Sequence, residues 1–272
     1  MRHQSMRKGS LVFSLAHKLS QLEALDENDH SSESHYPLLY PYSLSVIFPA
    51  YNEAENIHTT ITSALNALPS LVSDFEIIVV NDGSKDETGA IAEALASSTP
   101  AVRVFHHPVN RGCGAALATG FGTATKEFCF YMDSDGQFDI RDLGRLLPML
   151  HTYDGVFGYR IHRQDSLLRK VNAWGWNLLI RCIFHLQIRD IDGAFKIFRT
   201  DYLRQIQLEA HGAMMLTELV YKFAKAGYTY TQVGVNHYPR VKGHSTGGNL
   251  KVILRAFREL GYYAQKWSAE EL

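Results

Sequence analysis

Between Ser43 and Leu150 apolar runs alternate with helical periodicities, and this rhythm limits the folds open to the chain more than any other feature. Leu44–Phe48 reads as a strand that stops at Pro49. In Asn56–Leu68, residues Ile57, Ile61, Leu65 and Leu68 fall on one helical face. Phe75–Val80 is a strand ending in Asn81-Asp82-Gly83-Ser84, and Ile91 and Leu95 mark a helix after it. Val102–His106 is a third strand, Gly112–Thr123 a helix of small residues, and Phe128–Met132 a fourth strand. At about thirty residues per unit, the pattern predicts an α/β fold with a mostly parallel central sheet and helices on both faces.

In such sheets ligands bind beyond the carboxyl ends of the strands. Polar clusters stand at all four ends: Asn52/Glu53, Asp82, Asn110/Arg111 and Asp133/Asp135. The last is the most informative. An apolar strand runs straight into two carboxylates spaced i, i+2, and Gln137 adds a third oxygen-bearing side chain. Carboxylates this close repel by on the order of 1 kcal/mol or more at intermediate dielectric, a cost that a cation removes. Hard oxygen donors at a strand end suit a divalent cation that also holds a diphosphate. The plainer reading is an Asx turn. Taken singly, the other clusters keep two readings. Glu53 also suits the first turn of a helix, and Asp82 a helix cap. Asn110-Arg111-Gly112-Cys113-Gly114 suits either a turn or a phosphate contact at a helix N-terminus.

Other phosphate-binding solutions are excluded. Gly112-Cys113-Gly114 begins like a dinucleotide fingerprint, but Leu117 stands where the third glycine is required, and no Gly-Lys-Ser/Thr closes a Walker loop. With 27 basic against 28 acidic residues, no overall field favours nucleic acid. Cys113, Cys129 and Cys182 lie far apart, which argues for reduced thiols in the cytosol and against a zinc site or disulfide framework. No window approaches about eighteen uninterrupted apolar residues, so no transmembrane span is expected. Leu11–Ala16 is too short and broken for a good signal peptide. Residues 1–43 show no periodicity and read as a poorly ordered lead-in.

After Tyr153 the rhythm breaks. A strand at Val156–Tyr159 precedes a segment, 166–186, in which Arg169, Lys170 and Arg181 alternate with Trp174, Trp176, Leu178, Leu179, Ile180, Ile183 and Phe184. Such a helix either packs on the sheet or lies in a bilayer interface. A compact stretch 189–199, a helix near 213–226, a strand near Tyr228–Val235, a loop 236–248 and an amphipathic helix 249–266 come next. In the last, Leu250, Ile253, Leu254, Phe257 and Leu260 oppose Lys251, Arg255 and Arg258, which suits core packing.

Seven motifs occur in order: Phe48-Pro49-Ala50-Tyr51-Asn52-Glu53, Val79-Val80-Asn81-Asp82-Gly83-Ser84, Asn110-Arg111-Gly112, Asp133-Ser134-Asp135-Gly136-Gln137, Gly158-Tyr159-Arg160, Asp190-Ile191-Asp192-Gly193-Ala194-Phe195-Lys196 and Pro239-Arg240-Val241-Lys242-Gly243-His244-Ser245. This set resembles the family 2 glycosyltransferases of the GT-A fold. Within them it is most similar to dolichol-phosphate and polyprenyl-phosphate mannose synthases and their bacterial relatives. The resemblance implies a nucleoside diphosphate sugar held by Pro49, Ala50, Tyr51, Glu53, Val80, Asp82 and Arg111, with Asp133, Ser134, Asp135, Arg240 and Lys242. It implies Mg²⁺ or Mn²⁺ on Asp133, Asp135 and Gln137. Arg160 and Arg169 match the arginines that receive the acceptor phosphate, and Arg240 the diphosphate-contacting arginine of a closing loop. Two departures stand out. Thr246 occupies the place where the family's loop often carries Lys, with Lys242 as the available substitute. Asp190–Lys196 replaces the usual Ser-Gly-Phe-Arg ending.

The implied reaction is inverting transfer of a hexose from GDP-mannose or UDP-glucose to a polyprenyl or dolichyl phosphate, with Asp133, Asp135, Arg160, Arg169 and Arg240 as the catalytic set. A phosphate monoester is already anionic near neutral pH and needs no strong base. One alternative is a hydroxyl acceptor with Glu218 as base. Another is a non-catalytic nucleotide-sugar-binding subunit, against which the intact Asp133, Asp135, Gln137 and Arg240 speak. The expected location is the cytoplasmic face of a membrane, reached by surface docking or through an integral-membrane partner. The expected organisation is a lead-in 1–43, a GT-A catalytic domain 44–248 and a C-terminal amphipathic helix 249–272.

Overall fold

The computed structural model describes residues 39–161, 167–206, 208–210, 212, 214–240, 242 and 250–269, apart from the side chains of 167–169 and 250–254. All belong to one unit, Leu38–Leu272. The lead-in up to residue 38 lies outside the described residues.

Strands β1 (Tyr40–Ala50), β2 (Val72–Asn81), β3 (Val102–His106) and β4 (Phe128–Met132) alternate with helices α1 (Ile57–Ala67), α2 (Thr88–Ser98) and α3 (Cys113–Thr123). β1 pairs in parallel with β2 and β4, and β2 with β3. Val46, Ile47, Phe48 and Ile77 to Val80 are fully buried, as expected of parallel strands covered on both faces. Each such side chain contributes about 1.5–3 kcal/mol of burial free energy. α3 buries Gly114, Ala115, Ala116 and Gly120, small residues that let a helix lie close on the sheet. β1 starts at Tyr40 rather than Leu44: the Tyr40 N–H donates to the Leu71 carbonyl at 2.8 Å, and its ring stacks on Tyr42.

The second half adds α4 (Leu143–Leu146), β5 (Gly155–Ile161), α5 (Leu167–Phe184), β6 (Phe195–Arg199), α6 (Thr200–Gln205), α7 (Met215–Lys225), β7 (Tyr230–Asn236) and α8 (Leu250–Ala269). Together the strands form one sheet in the order β3-β2-β1-β4-β6-β5-β7. β6 runs antiparallel to both β4 and β5, while β5 and β7 are parallel. The stretch 189–199 thus supplies a central strand that the sequence pattern does not announce. Phe195 meets Phe130 edge-on at 4.7 Å in the middle of the core. Because β6 is reversed, its first residue, Phe195, pairs with Met132, the last of β4. The loop that precedes β6 therefore shares a rim with the ends of the parallel strands.

α5 buries Ile180 and Phe184 against the core, whereas Val171, Trp174, Leu178, Leu179 and Ile183 are exposed. α8 packs through Leu260 and Trp267, whose ring lies 5.0 Å from Phe184 and 5.1 Å from Tyr221. Phe257, expected in the core, is half exposed, and its ring meets Trp176 edge-on. No described helix is long and apolar enough to cross a membrane.

Candidate active site

The loops after the first two strands are tied to each other. Asn52 takes a left-handed conformation, φ 54°. Its N–H donates to Ser84 Oγ and its side-chain oxygen accepts from the Lys85 N–H at 2.8 Å. The Glu53 N–H donates to Thr88 Oγ1, and the Ala54 N–H to Asp86. This lacing leaves Tyr51 at the surface. Ala50 and Val80, expected at the nucleotide, are core residues, so only their backbone can face a ligand. Pro49 is partly buried, and its carbonyl accepts from Ser134 Oγ at 2.8 Å.

Asp82 is 3% exposed and fully engaged. Its Oδ1 accepts from His107 Nδ1 at 2.6 Å and from the Arg111 N–H at 2.9 Å; Oδ2 accepts from the Gly112 N–H at 2.8 Å. His107 is itself buried, with Nε2 against Thr119 Oγ1. Gly83 permits this turn: at φ 69°, an added Cβ would come within 2.4 Å of the Val109 backbone. Asp82 therefore fixes the Asn110–Gly112 loop at the N-terminus of α3 and leaves the exposed Arg111 on the rim. Sequence reasoning missed His107, because nothing local marks a residue that acts across 25 positions.

At the end of β4, Asp133 and Asp135 lie on the rim, with Ser134 buried between them. Ser134 joins loops, since its carbonyl also accepts from Thr60 Oγ1. Burial, and then the charge of Asp135, push the Asp133 carboxyl up to about 7, against the pull of Arg160 and Lys196. Asp135 is raised as well, chiefly by burial, although the Gln137 N–H and Arg240 lower it. Arg240 comes from the loop after β7. Its Nη2 donates to Glu53 Oε1 at 2.6 Å, its Nη1 to Asp135 Oδ2 at 3.4 Å, and its Nε to the Lys242 carbonyl. Lys242 thus enters the network through its backbone. Gln137 Nε2 donates to the Tyr238 carbonyl. Val241 and residues 243–249, including Thr246, lie outside the described residues. A cavity of about 700 Å³ opens beside Asp135, lined by Asn56, Thr60, Phe138, Tyr238 and Lys242 among others.

Among the described residues, no three His, Cys, Asp or Glu side chains converge into a metal cage. The donor set still fits a hard cation: two carboxylates at one strand end, each held above its ordinary range by burial, with an amide side chain two residues on.

Arg160, at the end of β5, is gripped by Asp190: Nε to Oδ2 at 2.6 Å and Nη2 to Oδ1 at 2.7 Å. The guanidinium is thereby fixed in orientation. Arg169 falls in the first turn of α5, and its side chain lies outside the described residues. Glu218, the alternative base, is 0% exposed. It accepts from the Glu209 and Ala210 N–H groups and pairs with Lys222, so it braces a loop and does not face the cleft. Trp176, expected at a bilayer interface, is half-buried and donates its indole N–H to Asp192. Asp190, Asp192 and Lys196 gain a place at the site. Their signal was the repeated Asp-x-Asp spacing at 190 and 192, the same spacing as at 133 and 135.

Similarity to known proteins agrees with this geometry. Residues 45–207 match the model of glycosyl transferase family 2. The chain is 30% identical over 210 residues to an undecaprenyl-phosphate mannosyltransferase of Micrococcus luteus, covering 73% of this chain and 85% of that protein. It is 27% identical over 237 residues to a dolichyl-phosphate beta-glucosyltransferase of Dictyostelium discoideum, covering 79% and 70%. The fold superimposes with a TM-score of 0.64, at 19% identity and over 82% of this chain and 80% of the other, on glucosyl-3-phosphoglycerate synthase from Mycobacterium tuberculosis in complex with Mn²⁺, UDP-glucose and phosphoglyceric acid. The chain belongs to glycosyl transferase family 2: it is a glycosyltransferase of the GT-A fold that resembles the polyprenyl-phosphate sugar synthases.

Proposed function

We propose that the enzyme transfers a hexose from a nucleoside diphosphate sugar to a polyprenyl or dolichyl phosphate, with inversion at the anomeric carbon, at the cytoplasmic surface of a membrane. One observation carries the donor side: Asp133 and Asp135 crowd the end of β4, and Arg240 reaches across from another loop to meet Asp135. Departure of a diphosphate is favoured by positive charge already in place beside it, which cation ligands and a neighbouring guanidinium provide. The acceptor side is supported by Glu218, whose internal role leaves the hydroxyl-acceptor alternative without its base.

Asp133, Asp135 and Gln137 would hold Mg²⁺ or Mn²⁺, which when bound supplies positive charge to the leaving diphosphate. Arg240 exchanges its carboxylate partners for the diphosphate oxygens as the sugar nucleotide arrives. Arg160, oriented by Asp190, receives the acceptor phosphate together with Arg169. A phosphate oxygen then attacks the anomeric carbon from the face opposite the diphosphate. The new C–O bond forms as the bond to the diphosphate breaks, and the phosphate, already anionic, gives up no proton to a base.

The lipid acceptor calls for a surface that meets a membrane. Val171, Trp174, Leu178 and Ile183 present an exposed apolar stripe along α5, a helix that the half-exposed Phe257 of α8 meets at Trp176. Docking through this stripe predicts co-sedimentation with anionic liposomes, reduced about tenfold by Trp174→Ser. Equal sedimentation of both forms would remove the stripe from the docking role. The reaction itself is tested with a donor panel of GDP-mannose and UDP-glucose, Mn²⁺ and a short polyprenyl phosphate, read as lipid-linked sugar. Failure of every donor would sink the acceptor assignment.

A further inference from the structure

From Asp190 to Phe198 only Asp192 is exposed; every other residue is buried. The backbone that carries it is clamped from three elements. Asp190 is locked onto Arg160 of β5. The Ile191 N–H donates to Asn177 Oδ1 of α5 at 2.8 Å. Lys196 of β6, 0% exposed, donates from Nζ to the carbonyls of both Ile191 and Gly193, the residues on either side of Asp192. Gly193 admits no side chain, since a Cβ would stand 2.9 Å from the Gly158 carbonyl. The Asp192 carboxylate is then aimed by the Trp176 indole N–H. A loop pinned this firmly with one side chain turned outward presents a group in a fixed pose.

The surroundings define what that group can bind. Asp192 and Asp133 share Arg160 and Lys196 as charged neighbours, and the Tyr131 hydroxyl lies among Asp133, Asp190 and Asp192. The two carboxylates therefore feel the same two cations: Arg160, of the proposed acceptor-phosphate end, and Lys196, which holds the Asp192 loop from below. An ionised carboxylate only accepts hydrogen bonds and repels phosphate. A ligand group that meets Asp192 must therefore donate, and in a sugar nucleotide the hexose hydroxyls are such groups. We propose that Asp192, oriented by Trp176, is a specificity-determining residue that accepts hydrogen bonds from hydroxyls of the transferred hexose. The inference rests on the donor half of the function proposed above.

The test is binding of the full-length protein, with Mn²⁺, to a nucleoside diphosphate and to the matching nucleoside diphosphate hexose, by calorimetry. Asp192→Ala is expected to weaken the sugar nucleotide by about tenfold and leave the bare diphosphate unchanged. Trp176→Phe, which keeps the ring and removes the donor, is expected to give about a threefold loss of the same kind. Deoxy-hexose donors identify the hydroxyl: for the one that lacks it, wild type and Asp192→Ala bind alike. Equal weakening of both ligands, or of neither, would overturn the proposal. Lipid-linked product from the same wild-type samples tests the acceptor assignment separately. Loss of that product with the hexose-selective effect intact would refute the acceptor and leave Asp192 in its role.

Discussion

Asp82 and Asp133 end the strands that flank β1, and in sequence they look alike: an apolar run, then an aspartate followed by small polar residues. Their surroundings are opposite. Asp82 meets three donors, His107 and two backbone N–H groups, and serves as a fastening. Among the described residues no donor is hydrogen-bonded to Asp133, and its nearest carboxylate neighbour raises its cost of ionisation. One site has a charge that the fold satisfies; the other has a charge that the fold leaves for a ligand. The difference teaches that a strand-end aspartate is assigned by the donors that converge on it, and these come from distant parts of the chain.

The sharpest way to break the comparison is Asp133→Asn. Sugar transfer is expected to fall by at least about 100-fold, with no loss of melting temperature, since the variant removes one of two repelling charges. A clear drop in melting temperature would make Asp133 a second fastening. Asp82→Ala should do the reverse in kind: a stability loss of about 2 kcal/mol or more by denaturant titration, because the buried His107 and two backbone N–H groups lose their acceptor. His107→Ala, which removes a single donor from the same carboxylate, should cost about 1 kcal/mol on the same measurement. If it costs nothing, Asp82 is held by the loop amides alone.

A further expected effect is on pH dependence, and it concerns a third carboxylate. Although Asp192 reaches solvent, the protein packed around its carboxyl strips away part of its hydration, and this, and then the charge of Asp190, push it up to about 6 from an ordinary 3.8. Between those values the folded protein keeps a proton that the unfolded chain has released. Wild-type stability therefore declines as pH rises through that window, and the deficit persists above it. Asp192→Asn lacks this term, so its melting temperature should gain on wild type from about pH 4 to about pH 6.5. A constant difference would place the titration elsewhere.

The first half of the fold was legible because each parallel strand and its helix are written contiguously, and strand ends fall where apolar runs stop. The position of Asp133 and Asp135 on the rim was legible for the same reason, whereas Arg240 was named only by the resemblance to the family. β6 was not, because Lys196 breaks an apolar run that in isolation reads as surface, and only the carbonyls of Ile191 and Gly193 make its burial tolerable. In the sequence Trp176 belongs to a segment that suits either the sheet or a bilayer, and Glu218 stands as a candidate base. Periodicity says which residues share a face; it does not say that one of them turns toward a carboxylate, or that another closes on the amides of a neighbouring loop.

The reversed direction of β6 has a consequence for how such enzymes diversify. Every parallel strand offers its exit to the ligand, so changes downstream of it reshape the pocket. β6 offers its entrance. Insertions after Arg199 fall on the opposite edge, while a single exchange just upstream of Phe195 alters the rim that carries Asp133 and, on the proposal above, the wall that the hexose meets. A search for selectivity confined to the residues after each strand will pass over the segment with the most leverage.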